Sequence, residues 1–508
     1  MTNQVDAHER VKDLEWSPSY AERRVRYPTK YRIPPKTKDP FRTLIREYVS
    51  MEQEKDDRQY GSLEDVLART DAPAHTERRW LELLKGVLPM VNFAEYAAMK
   101  ACSQLIDTVA NQELRQGYQA QMIDEMRHTH QQMYLNRYFA KKAPDPAGFD
   151  QAQRYKGQNI FGRASRSAFE TFFMGDPIEG VMNLQVVTET AYTNQLFVAM
   201  TQMAAEQGDQ VTPSVFLSIQ SDEARHMANG YSTLAAVISE PANHEHMQRD
   251  FDTGFWRQHN FLDTFLGAVQ DYSQVHRGAS YLERWKEWVA EDWAGSFVSK
   301  LAPFGLKAPS DFALAETRVP WMHHSVFMVA VGGWPLMYWR QSPLTDADME
   351  WFEEKYPGWY DNYGWFYEGM REMQEPGSGN PFLLFPEMPP TCRVCQMPCI
   401  LPRLDLNQLV IKEYLGRRHA FCSPPCERIF DHDPARYLGY QTFWEIWDGH
   451  GLDEYIVKAG LLRADGKTLV AQPHCSDDPK MMWTLDDIRA LEYEIKDPLQ
   501  NPDSIYLV

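Results

Sequence analysis

Apolar residues recur every three to four positions over long stretches of this chain, with few glycines inside them, which is the pattern of amphipathic helices. "ERRWLELLKGVLPMVNFAEYAAMKACSQLIDTV" (77–109) predicts one helix, interrupted or kinked near Pro89 because proline cannot donate to the helical ladder. "QELRQGYQAQMIDEMRHTHQQMYLNRYFAKK" (112–142) predicts a second. "GDPIEGVMNLQVVTETAYTNQLFVAMTQMAAEQ" (175–207) predicts a third, with Pro177 in its first turn and Gly208 just past its end. "TPSVFLSIQSDEARHMANGYSTLAAVI" (212–238) predicts a fourth, with Thr212 as N-cap and Pro213 at the first helical position.

Texture divides the chain into regions. Residues 1–75 are polar and punctuated by proline, an arm laid over a neighbour more than a core. Residues 76–345 carry the long helices. Residues 346–390 form a connecting segment rich in Trp, Pro and Gly that ends in the linker "EPGSGNPFLLFPEMPP" (375–390). Residues 391–508 mix short strand and helix signals, an α+β region. With 508 residues the chain can bury a large core.

A net charge of −19 argues against nucleic acid as a partner, since phosphate contact needs a basic face. No apolar run reaches the roughly 18–20 residues that cross a bilayer, so no membrane role is expected. The polar N-terminus lacks a signal-peptide pattern, which points to the cytoplasm.

Two of the helices share a pentad. "IDEMRHTHQQM" (123–133) and "SDEARHMANGY" (221–231) both contain Asp-Glu-x-Arg-His. On a helix, positions i and i+3 share a face, so Glu125 with His128, and Glu223 with His226, can each grip a metal ion. A bundle site of this type needs one further glutamate from each of two other helices. The preceding helices offer Glu95 in "NFAEYAAM" and Glu189 in "VVTETAYTN", both in apolar surroundings where an unpaired carboxylate would be costly. Four carboxylates and two imidazoles suit a pair of iron or manganese ions better than zinc. Asp124 and Asp222 are expected to accept hydrogen bonds from the outward nitrogens of the histidines, with Arg127 and Arg225 balancing the charge. The alternative is that both pentads are surface ion pairs.

Five of the seven cysteines lie between 392 and 426. Cys392-x2-Cys395 and Cys422-x3-Cys426, separated by a strand-like segment, fit a structural zinc knuckle; a cluster of reduced buried thiols is the alternative. Cys102 and Cys475 are expected to pack as small hydrophobes.

On "DEMRHTHQQMYLNRYFA", "NLQVVTETAYTNQLFVAM", "GDQVTPSVFLSIQSDEARHMANGY" and "WFEEKYPGWYDNYG" the chain resembles the hydroxylase α subunits of bacterial multicomponent monooxygenases, of the methane, propane and alkene branch. The resemblance runs from about residue 38 to 488. It implies a mainly α, ferritin-like bundle with a dinuclear iron centre bound by Glu95, Glu125, His128, Glu189, Glu223 and His226. It implies catalytic roles for Glu223 and for Thr193, the latter in proton delivery, and a pore at Thr193, Asn194 and Gln220, the last being Glu in the methane enzymes. The implied pocket comprises Val91, Ala98, Gln132, Ala168, Phe169, Phe172, Leu184, Phe216 and Ile219. Gln132 stands where methane enzymes have Cys. Ala168 stands where they have a bulky Phe, which favours a larger hydrocarbon. Some family members carry a four-cysteine module and the methane enzymes lack it. Such a centre cleaves dioxygen, one oxygen atom entering a small alkene or alkane and the other leaving as water.

No G-x-G-x-x-G and no ferredoxin-type cysteine spacing occurs here, so electrons must come from another protein. The resemblance implies an NADH-dependent reductase carrying FAD and [2Fe–2S], a β subunit with or without a γ subunit, and a small cofactorless regulatory protein. Rival readings are an iron-storage bundle, a radical-generating subunit and a non-catalytic scaffold. The second should place a tyrosine where Gln132 stands.

Overall fold

Helices dominate the computed structural model, which describes residues 29–35, 45–69, 72–143, 148–149, 160–275, 277–332, 344–372, 387–399, 409–469 and 484–507. Those of the bundle and its surroundings are α1 (Ile45–Arg69), α2 (Arg78–Thr108), α3 (Gln112–Lys142), α4 (Ile160–Phe169), α5 (177–206), α6 (Thr212–Ile238), α7 (244–272), α8 (281–297) and α9 (Phe312–Gly332), and shorter helices follow between 346 and 490. Most of the 375–390 linker, and Cys475, lie outside the described residues.

The four helices expected from periodicity are present. α2 runs through Pro89 without a break, so the expected interruption there is not found. α3 starts at Asn111, whose side chain accepts from the backbone N–H groups of Glu113 (3.1 Å) and Leu114 (3.2 Å). α5 opens on Pro177, with the Asp176 carboxylate accepting from Ile178 N–H (2.9 Å). It stops before Gly208, whose φ of +82° and approach to the His75 carbonyl leave no room for a Cβ. The cap of α6 differs from expectation. Thr212 is itself helical, and the capping group is the Asp209 carboxylate, which accepts from Val211 N–H (2.9 Å), Thr212 N–H (3.0 Å) and Trp80 Nε1–H (2.8 Å).

α2 packs along α3, α3 against α6, and α6 against α5, giving a four-helix bundle; α7 covers α5, and α1 touches α3 and α6. Stretches of π-helix interrupt α5 at Met182–Glu189 and Asn194–Ala199, and α7 at His259–Asp263. Bonding from i to i+5 inserts one residue per turn and rotates the following side chains, and such turns gather at functional sites. Thr188 follows this pattern, its Oγ1 donating to the Asn183 carbonyl (2.7 Å).

Among its described residues the expected α+β region contains one antiparallel hairpin, β1 (Val410–Tyr414) and β2 (Arg417–Phe421). Its turn, Leu415-Gly416, has both φ values positive. One apolar core joins the bundle helices to Cys392, Cys395, Phe421, Cys426 and Phe430, so the cysteine region packs directly on the bundle. A second core gathers Tyr272, Phe352, Trp359, Trp444 and Ile488. Among the described residues no helix is long and apolar enough to cross a membrane.

Asp209 ties the start of α6 to Trp80 on α2. Asp209→Ala is expected to cost about 1–2 kcal/mol, the upper range for a lost cap, read as a lower midpoint in denaturant titration. An unchanged midpoint would contradict the capping role.

Candidate metal centre

The two pentads face one another. His128 and His226, both fully buried, have ring centroids 5.6 Å apart. Around His128 Nδ1 stand Glu95 Oε2 at 3.5 Å and Glu125 Oε2 at 3.6 Å. Around His226 Nδ1 stand Glu125 Oε1 at 3.4 Å, Glu223 Oε2 at 3.6 Å and Glu189 Oε1 at 3.8 Å. Glu125 therefore serves both groups, one oxygen to each. The six residues singled out by spacing converge, and all are buried.

The donor set fits a pair of metal ions. Among the described residues neither His Nδ1 nor Glu189 Oε2 has a hydrogen-bond partner, although each is buried. Ligand atoms about 3–4 Å apart are what ions with bonds of roughly 2.0–2.2 Å gather around themselves. Polar atoms so placed, with no partner, are costly unless an ion completes them.

Behind the histidines the pentads are tied crosswise. His128 Nε2 meets Asp222 Oδ2 at 3.0 Å, and His226 Nε2 meets Asp124 Oδ2 at 3.3 Å. Each motif's aspartate thus orients the other motif's histidine. Arg127 lies 3.0 Å from Asp124 and 3.2 Å from Asp222, and Arg225 lies 2.6 Å from Asp222 and 3.2 Å from Asp124. Glu52, 2% exposed, pairs with both arginines (2.5 Å to Arg127 and 2.8 Å to Arg225). Lys55 pairs with Asp222, and Asp56 with Arg127. Glu52, Lys55 and Asp56 belong to α1, inside the segment read as an arm. Their signal in the sequence was an acidic–basic run, indistinguishable from a solvated helix face.

Two glutamines complete the set. Gln132 Nε2 donates to Glu95 Oε1 (2.7 Å). Gln121, one turn before Glu125, bridges Glu125 Oε1 and Glu189 Oε1 at 3.1 Å each; sequence reasoning missed it.

A cavity of about 70 Å³ opens beside the carboxylates. Of the expected pocket residues, Val91, Ala98, Phe169, Phe172 and Leu184 line it. The other four do not. Gln132 is turned to Glu95. Ala168 is buried away from the cavity, its carbonyl accepting from Gln258 Nε2 (3.1 Å). Phe216 packs edge-on behind the lining residue Phe197 (5.6 Å). Ile219 is buried outside the wall. Sequence reasoning missed Tyr192, Leu196, Leu262, Phe265 and Leu266 on the wall, as well as Met90, Ala94, Thr188 and Phe197. Thr193 lines the cavity too, and its hydroxyl makes no hydrogen bond among the described residues, whereas Thr188 and Tyr192 are engaged with Asn183 and Asp263. Asn194 is exposed and Gln220 half-buried; neither reaches the wall.

Burial pushes Glu95 up to about 8, against the opposing influence of His128. Burial and then the charge of Glu223 raise Glu189 well above the carboxylate range. Burial disfavours charge on the histidines, but Asp222, Glu125 and Glu95 around His128, and Glu125, Glu223 and Asp124 around His226, hold both well above the usual imidazole range. Burial likewise works against Asp222, yet His128, Arg225 and Lys55 hold it well below the carboxylate range. Without cations the centre retains protons.

The second constellation also assembles. Cys392, Cys395, Cys422 and Cys426 are buried with their sulfurs within 4.8 Å of one another. Cys395–Cys422 and Cys422–Cys426 are both 3.7 Å apart, close to the edge of about 3.8 Å that a tetrahedron of Zn–S bonds near 2.3 Å requires. Cys399 is buried alongside but outside this group of four, and Cys102 is buried in the bundle core.

Residues 16–241 match the family model described as methane/phenol/alkene hydroxylase. The chain is 37% identical to the methane monooxygenase component A alpha chain of Methylococcus capsulatus, over 98% of this chain and 95% of that one. It is 36% identical to the propane 2-monooxygenase hydroxylase large subunit of Gordonia sp., covering 96% and 93%. The crystal structure of xenon-pressurised phenol hydroxylase from Pseudomonas sp. OX1 has the same fold, with a TM-score of 0.77 at 22% identity, covering 100% and 99% of the two chains.

Two outcomes follow from this geometry. The folded-state pKa values of Glu95, Glu189, His128 and His226 are raised, so their contribution to stability is present at low pH and lost as pH rises through those values. The chelator-treated chain should therefore have a lower denaturation midpoint at pH 8 than at pH 6, while the metal-loaded chain, its protons replaced by cations, should not; equal midpoints in the chelated sample would contradict this. Asp222→Asn should weaken metal binding about 10–100-fold, and by the crosswise tie it should do so at the His128 position more than at the His226 position. Equal loss at both positions, followed in the ⁵⁷Fe Mössbauer spectrum, would refute the tie.

Proposed function

The chain belongs to the methane/phenol/alkene hydroxylase family, and from that membership we propose that it is the catalytic α subunit of a diiron monooxygenase acting on small hydrocarbons. Convergence of two Glu-x-x-His turns and two further glutamates on unpartnered imidazole nitrogens, beside an apolar cavity, carries this reading. One iron would be held by Glu95, Glu125 and His128, the other by Glu125, Glu189, Glu223 and His226. Two irons so held supply the reductive cleavage of dioxygen, with one oxygen atom passing to the hydrocarbon and the other to water.

The residues around the site prepare for that chemistry. The aromatic and aliphatic wall excludes water, which would otherwise compete for the oxidant. The free Thr193 hydroxyl can hold or pass a proton at the cavity, and its exposed neighbour Asn194, with Gln220, offers the route outward. Asp124 and Asp222 keep the histidine Nε2 protonated, leaving Nδ1 for metal.

Size argues for the substrate. A dry apolar cavity of about 150 Å³ takes benzene, so one of about 70 Å³ suits short-chain alkenes and alkanes better than an aromatic ring. We read the reaction as alkene epoxidation or alkane hydroxylation. Electrons come from NADH through a separate FAD/[2Fe–2S] reductase, alongside a β subunit and a cofactorless regulatory protein, in the cytoplasm. The four cysteines hold a structural zinc. Two buried arginines near the cluster, Arg257 and Arg318, make no ion pair with a carboxylate among the described residues, which suits a site whose four thiolates leave net negative charge around one zinc.

The purified chain should contain about two iron ions and one zinc, with turnover of propene or propane requiring the reductase. Absence of iron from folded protein, or turnover with NADH and no other protein, would overturn the reading. Narrowing the cavity by Ala98→Leu should reduce butene turnover more than ethene turnover, since each methylene contact is worth about 0.8 kcal/mol. Equal losses would mean that the cavity does not select by size.

A further inference from the structure

Two of the polar contacts between the cysteine cluster and the bundle lead to the cavity wall. Asn260 lies in the π-helical turn His259–Asp263 of α7, fully buried. Its Nδ2 donates to Cys426 Sγ (3.1 Å), and its Oδ1 accepts from Arg318, which also donates to the Cys422 carbonyl (2.7 Å). The amide is thereby clamped between a cluster sulfur and a guanidinium anchored on the same cluster. The next residue, Phe261, stacks on Phe265 (5.6 Å) and meets Phe169 edge-on (5.4 Å); Phe169, Phe265 and the following Leu262 all line the cavity. At the second point Ser167, two residues before Phe169, donates to the carbonyl of Val394, between Cys392 and Cys395 (3.1 Å).

We propose that the four-cysteine cluster sets the shape of the hydrocarbon cavity, with Asn260 as the positioning residue that links a cluster thiolate to the Phe261–Phe169–Phe265 wall. The link to zinc rests on the reading above; the link from cluster to wall rests on the contacts alone. A π turn suits this role, because its extra residue turns Asn260 towards the cysteines while Leu262 faces the cavity. An N–H donor to a metal-bound thiolate stabilises the site in the way outer partners of metal ligands do. The cluster and the wall are therefore bound in one packed unit, and interiors of this density transmit displacement.

The test uses the complete hydroxylase. Asn260→Ala and Asn260→Asp are compared with wild type for iron and zinc content, for xenon binding followed by ¹²⁹Xe NMR, and for the butene-to-ethene turnover ratio with the reductase present. Asn260→Asp keeps the acceptor for Arg318 but turns a carboxylate oxygen towards the thiolate, and should weaken zinc about 10–100-fold. Both variants should keep their iron, bind xenon differently and shift the turnover ratio by about threefold or more. Wild-type xenon binding and turnover ratio in iron-replete variants would overturn the proposal. Should either variant fail to fold, zinc is withdrawn from the wild-type hydroxylase with a mercurial, and an unchanged xenon signal overturns it equally. Wild-type protein without zinc, combined with altered cavities in the Asn260 variants, would refute the zinc reading and leave the wall link standing.

Discussion

Burying four glutamates and two histidines side by side among apolar helices is the constraint that the rest of the molecule answers. Each such group alone would cost several kcal/mol to desolvate. Cations at the centre remove part of that cost, and the surrounding protein must orient what remains. It does so with Asp124 and Asp222, each held by both arginines, and with Glu52 closing the ring from α1. Because each aspartate serves the histidine of the opposite helix, neither α3 nor α6 can shift without disturbing both metal positions. This is the physical reason for writing the same pentad twice: the two copies are halves of one interlocked cage.

The helices and the six convergent residues were legible because both rest on period. A carboxylate three residues before a histidine must share its helical face, and Glu95 and Glu189 stood out as lone charges in apolar runs. The crosswise pairing was not legible, since spacing says which face a residue occupies and nothing about which helix stands opposite. Glu52 escaped for a different reason: in "MEQEKDDRQYG" its charge looks like its solvated neighbours', and only the packing of α1 on α3 and α6 buries it. Gln121 and Gln132 escaped because an amide carries no signature until its partners are known.

The cavity marks the limit of periodic reasoning more sharply. The residues that failed to line it, among them Ala168, Phe216 and Ile219, sit at the right helical spacing yet face other apolar neighbours. Much of the missed wall belongs to α5 beyond Glu189 and to α7, where π turns break the 3.6-residue register. Extrapolating a face through such a turn misplaces it, so Leu196, Leu262 and Leu266 were invisible to a count by threes and fours.

That same irregularity explains how one core can meet two opposed demands. The centre needs regular helices, since only i,i+3 pairs on straight faces can present Glu and His together. The cavity needs a wall that departs from them, because perfect ridges into grooves would fill the space a hydrocarbon must occupy. The chain divides the two demands largely between helices. α3 and α6 stay regular and carry the pentads, while α7 and α5, which also delivers Glu189 from the end of a π stretch, take the extra residues and shape the cavity. A π turn costs hydrogen-bond geometry, and at His259–Asp263 it is held by Tyr192 and Tyr281 on Asp263 and by the cysteine cluster on Asn260. The apolar core that runs unbroken from the bundle into the cysteine region is thus the support that lets one helix deviate where the chemistry needs room.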